Sequence, residues 1–96
     1  MRVTIKKDFL IRTIAGEQVL IGYGEQINFS KMLMLNYTGA HVIEELQKQS
    51  APVPIENLAQ NLTDNYNKTT YEEVLSDVKE LILYLEKQGV VTVEYQ

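Results

Sequence analysis

The sequence predicts a small α+β fold: an N-terminal three-stranded antiparallel sheet, then three helices, then a short C-terminal strand. Three observations carry this. Residues suited to a pleated surface concentrate in the first third of the chain. From Thr38 onward apolar residues recur at intervals of three and four, the helical period. Pro52 and Pro54, Asn67–Thr69 and Gly89 then divide that second part into three segments.

Phe9–Ile14 and Gln18–Tyr23 read as the arms of a hairpin, with Ala15-Gly16-Glu17 as its turn. Gly22 and Gly24 mark a bend or bulge before a third strand within Ile27–Leu35, where Ser30 and Lys31 can turn. Thr38 can cap the first helix, whose inner face carries Ala40, Ile43 and Leu46, with Val42 beside them. Ser50-Ala51-Pro52-Val53-Pro54 ends that helix, because proline lacks an N–H and restricts the residue before it. Pro54 suits the first position of helix two, which buries Ile55, Leu58, Ala59 and Leu62 and has Tyr66 at its far end. Thr70-Tyr71-Glu72-Glu73 is a capping box for helix three, which runs to about Gln88. Tyr71, Val74, Leu75, Val78, Leu81, Ile82 and Leu85 form its apolar stripe. Gly89 stops it, and Val90–Val93 supply the last strand. Three helices with strands covering one side make a small winged-helix-like plan.

The 96 residues suit one domain with one core, and 45% apolar residues are ordinary for a folded chain. Absence of cysteine removes disulfides, thiolate metal sites and cysteine nucleophiles, and fits a reducing compartment. A cytoplasmic location is the expectation, since charges at Arg2, Lys6, Lys7, Asp8 and Arg12 interrupt any N-terminal apolar run. Nine basic against thirteen acidic residues, a formal charge of -4, give no general attraction to nucleic acid or anionic lipid. No enzyme is expected: His41 is the only histidine and lacks companions for a metal site, while adjacent Glu44 and Glu45 point apart. Gly22-Tyr23-Gly24 is not followed by the Gly-Lys-Ser/Thr of a phosphate-cradling loop. No cofactor is implied.

Residues 35 to 46, Leu-Asn-Tyr-Thr-Gly-Ala-His-Val-Ile-Glu-Glu-Leu, resemble the PqqD family, whose namesake is the small carrier protein of pyrroloquinoline quinone biosynthesis. Leu35, Asn36, Thr38, Gly39, Val42 and Leu46 fit its pattern of a strand ending in Leu-Asn, a Thr-Gly pair and a helix. Ile55-Glu56-x-Leu58-Ala59 and Leu85–Val91 follow in the family's order, so the resemblance covers roughly residues 9 to 93. Ile43 departs from it, standing where the family often has Trp; a neighbouring Met or Tyr is expected to fill the lost volume. The resemblance implies that residues 1–96 form a single peptide-recognition domain. It would bind the leader of a ribosomally made precursor peptide and present it to a modifying enzyme, often a radical S-adenosylmethionine enzyme. The leader would add a strand beside the third strand and lie against the third helix.

Such strand addition needs an unpaired backbone edge and an apolar groove. Each backbone hydrogen bond nets about 0.5–1.5 kcal/mol, whereas ordering a leader costs roughly 2–5 kcal/mol. Burying some 200 Å² of apolar surface would contribute on the order of 5 kcal/mol. On the third strand Met32 and Met34 share one face, Leu33 and Leu35 the other, and one pair is expected to face a partner. On helix three, Asp77, Leu81, Tyr84 and Gln88 share one flank and are the expected groove residues; Leu75, Lys79, Ile82 and Glu86 form the alternative flank. Two rival functions remain. A winged-helix DNA reader would use helix three, but Glu72, Glu73, Asp77, Glu80 and Glu86 outweigh Lys79 and Lys87 there, the wrong sign for phosphate contact. A homodimeric interaction subunit would pair through the strand edge and compete with a leader for it.

Overall fold

The computed structural model describes residues 1–23, 32–65 and 70–95. The chain runs through β1 (Arg2–Ile5), β2 (Phe9–Ile14), β3 (Glu17–Gly22), β4 (Leu33–Leu35) and α1 (Tyr37–Gln47). It continues with β5 (Val53–Pro54), α2 (Ile55–Asn65), α3 (Tyr71–Lys87) and β6 (Val91–Glu94). The predicted α+β order holds, with β2, β3 and β4 as an antiparallel sheet in that spatial order. The expectations for Gly24, for residues 27–31, for Tyr66 and for the 67–69 loop lie outside the described residues.

A second sheet, ordered β5-β1-β6, goes beyond the sequence reading. β1 is too short for its alternation to register, and its partners lie far away in the chain: Val3 pairs with both Val53 and Val93. This sheet ties the chain ends to the helices. The Met1 carbonyl accepts from the Ile55 N–H, and the Val90 carbonyl accepts from the Lys6 N–H. The Arg2–Glu94 ion pair spans 2.7 Å between half-exposed groups, so it contributes at most about 1 kcal/mol.

The turn joining β2 to β3 is tighter than expected. Ala15 (φ 51°) and Gly16 (φ 80°) make a two-residue turn of the primed type, and Glu17 already pairs with Ile14. Asp8 (φ 71°) makes a further left-handed step, where the chain leaves one sheet for the other.

The cap of α1 is Asn36 and not Thr38. Asn36 is extended, and its Oδ1 accepts the Gly39 N–H at 2.7 Å; the Thr38 hydroxyl, inside the first turn, donates to the same oxygen at 3.0 Å. A Cβ on Gly39 would stand 3.1 Å from that oxygen and 3.6 Å from a Leu35 methyl, so glycine there lets the cap close in. Pro54 ends β5 instead of opening α2, which begins at Ile55. Thr70 caps α3 as expected, accepting the Glu73 N–H at 3.3 Å. Gly89 (φ 79°) takes the left-handed stop, and the Val90 N–H returns to the Leu85 carbonyl.

Leu20, Leu33 and Leu35 meet Val42, Ile43 and Leu46 of α1, the predicted four residues of α2, and Val74, Val78, Ile82 and Leu85 of α3 in one core. Ile43 is fully buried there, but Met32, Met34 and Tyr37 are exposed, so the volume is not made up by these neighbours in sequence. Replacing Asn36 by Ala should lower the unfolding free energy by about 1 kcal/mol in urea denaturation, and Thr38→Ala by less than half of that. Equal losses would return the cap to Thr38.

Candidate functional site

Backbone groups alternate along an antiparallel strand, so one closed pair sets the direction of all the others. The tight turn makes Ile14 and Glu17 a hydrogen-bonded pair, and the Tyr23 N–H donates to the Asp8 carbonyl at 2.8 Å in the same phase. On β3, therefore, Glu17, Val19 and Ile21 bond to β2, while Gln18 and Leu20 bond to their β4 partners Leu35 and Leu33. Met34 lies between those two pairs. Its N–H and C=O turn away from β3 to the open side of β4, where no described strand follows.

The side chains alternate in step. Leu33 and Leu35 are buried in the core, whereas Met34 is 68% exposed and Met32 43%. The opposite border, β2, is partly covered: the Gln47 amide donates to the Phe9 carbonyl at 2.9 Å.

Next to β4 a cleft of about 600 Å³ opens between the start of α1 and the flank of α3. Val42, Leu62, Val74 and Val78 line it from the core and are buried. Asn36 and Thr38 stand on the β4 side, and Asp77, Glu80, Leu81 and Tyr84 on the α3 side. The structure thus brings Asp77, Leu81 and Tyr84 of the predicted flank to the same cleft. Gln88 is not among the lining residues: it is the half-buried C-cap of α3, its N–H bonded to the Tyr84 carbonyl.

The alternative flank does not form a continuous surface. Ile82 is fully buried, and the Glu86 carboxylate accepts the Tyr95 hydroxyl at 2.6 Å. That hydrogen bond is the main reason the Tyr95 phenol titrates above its ordinary range, with desolvation and the Glu86 charge adding to it. His41 is half-buried and 2.6 Å from Asn61 Oδ1, a link between α1 and α2.

Sequence reasoning missed Glu80, although it lies three residues from Asp77 and four from Tyr84 and so shares their face. It also missed Val42, Leu62, Val74 and Val78, which it reads only as core, and Asn36 and Thr38 at the start of α1. Among the described residues no helix is long and apolar enough to cross a membrane.

Comparison with known proteins agrees with this architecture. The family model described as Coenzyme PQQ synthesis protein D (PqqD) matches residues 17–91. No curated protein matches in sequence. The fold is similar to a solved structure described as TbiB1 in complex with the TbiA(beta) leader peptide, at a TM-score of 0.71 and 14% identity, covering 97% of this chain and 99% of that one. It is also similar to lasso peptide synthetase B1 complexed with the leader peptide, at 0.67 and 18% identity, covering 95% and 98%.

The deduced phase has a direct check. In amide hydrogen exchange followed by NMR, the Met34 N–H should exchange at least about tenfold faster than those of Leu33 and Leu35. Equal protection at all three positions would mean that the open side of β4 is already paired.

Proposed function

We propose that this chain, which belongs to the PqqD family, binds the leader segment of a ribosomally made precursor peptide as an added strand along β4, with side chains entering the cleft beside α3. One observation carries the reading: the N–H and C=O of Met34 turn outward from β4, and a cleft with apolar walls begins at Asn36, two residues further along the chain. Two proteins of similar fold were solved with leader peptides bound, which supports it.

The two Met34 backbone bonds are worth about 1–3 kcal/mol together, which does not offset the roughly 2–5 kcal/mol of ordering a leader. Apolar contact must supply the remainder. In this reading Leu81 and Tyr84 cover the inward side chains of the leader, and Met32 and Met34, unbranched and adaptable, cover the outward ones. Leu33 and Leu35 act by anchoring the strand in the core. Asp77 stands at the rim, and Gln88 ends the helix that carries the flank. Residues 1–96 serve as one recognition unit that contributes binding and no chemistry of its own. It presents the precursor in the cytoplasm to a separate modifying enzyme, of the radical S-adenosylmethionine class. A second copy of the chain pairing along β4 would compete with the leader for the same edge.

The test is a search of the neighbouring reading frames for a short precursor, followed by a fluorescence anisotropy titration with its labelled leader. Met34→Pro removes the outward N–H, which an edge position tolerates, and should weaken binding about tenfold with the melting temperature nearly kept. Leu81→Ala combined with Tyr84→Ala should weaken it by at least about tenfold through lost apolar contact. Unchanged affinity in both variants, with folding intact, would move the site elsewhere.

A further inference from the structure

The charged residues lining the cleft are Asp77 and Glu80, both acidic, and neither carboxylate has an ion-pair or hydrogen-bond partner among the described residues. Two of the neutral polar groups are engaged internally, since Asn36 Oδ1 already receives the Gly39 N–H and the Thr38 hydroxyl. Behind these groups the wall is apolar, formed by Val42, Val74 and Val78. The cleft therefore offers an apolar surface and two carboxylates without a partner among the described residues.

Their spacing is informative. Asp77 and Leu81 are four residues apart on α3, as are Glu80 and Tyr84, so the acidic pair precedes the apolar pair by about 6 Å along the helix axis. In an extended peptide, side chains on one face recur every two residues, about 6.6 Å. A strand lying along this flank thus sets one inward side chain against Leu81 and Tyr84 and the next inward one against Asp77 and Glu80.

We infer that the cleft selects leaders carrying a large apolar residue and a Lys or Arg two positions apart in the segment that pairs with β4. The inference rests on the strand-addition reading and adds to it the chemistry of the preferred peptide. The cation matches the two carboxylates that have no partner among the described residues, while the apolar residue meets the half-buried Leu81 and the exposed Tyr84 ring. An acidic side chain at the same place would face two like charges.

Selection from phage-displayed random 12-residue peptides on the intact protein tests this. Binders should be enriched in an apolar residue and a Lys or Arg two positions apart, in one consistent order, and should perturb the Met34 and Leu81 amides in NMR. For a synthetic copy of one such binder, Asp77→Asn with Glu80→Gln should lower affinity about fivefold at low salt, within the range of partly exposed ion pairs. Selection repeated on that double variant should keep the apolar preference and lose the cation. Binders that map to β4 and α3 without any cationic preference would overturn the inference and leave strand addition standing. Binders that perturb other surfaces, or no binders at all, would overturn both.

Discussion

Antiparallel pairing alternates the direction of backbone groups along every strand, so the tight turn at Ala15–Gly16 sets the phase for β2, β3 and β4 together. From that one closure follow the Leu20–Leu33 and Gln18–Leu35 bonds, and from them the outward N–H and C=O of Met34. The side chains obey the same rule. A slip of one residue in β4 would put Met34 in the core and leave Leu33 and Leu35 exposed. It would also turn the outward-facing backbone pair inward. The buried leucines are thus what keeps the edge in a single register.

The corner after β4 converts that register into a site. Asn36 ends the strand and caps the helix, and Gly39 lets the capping oxygen approach, so α1 leaves the sheet at a fixed angle beside the open edge. Val42 is carried on its first turns to the cleft wall. Hydrogen bonding between His41 and Asn61 links α1 to α2, and the small sheet of β5, β1 and β6 holds the end of α3 through Lys6 and Val90. No wall of the cleft is a free loop among the described residues. Three helices and the cap of α1 place the described groups that line it, which suits recognition that depends on spacing.

What could be read from the sequence was local. Thr70 with Glu73, Gly89, the α3 stripe and the two-fold alternation of Met32–Leu35 all follow from neighbours within a few positions, and the structure keeps them. The strand Arg2–Ile5 was invisible because its partners are Val53 and Val91–Glu94, and four residues carry too little periodicity to announce a sheet. Thr38 and Asn36 are both good caps; the choice between them depends on which residue is extended, a property of how β4 ends. The same holds for the two flanks of α3. Leu81 and Ile82 both fall in the apolar stripe, and only packing shows that Ile82 is sealed in the core while Leu81 reaches the cleft.

A three-residue edge strand has a consequence for affinity. Among the described residues β4 presents one outward-facing residue, Met34, where a longer strand would present a ladder of them. Long open edges pair indiscriminately, and the opposite border is already blunted by Gln47 on Phe9. With so few backbone bonds on offer, neither a second copy nor an arbitrary extended chain gains enough from pairing alone to stay bound. A lasting complex has to draw the difference from side chains that fit between β4 and α3. The shortness of the strand therefore moves the burden of recognition from the backbone, which every peptide shares, to the flank of α3, where peptides differ.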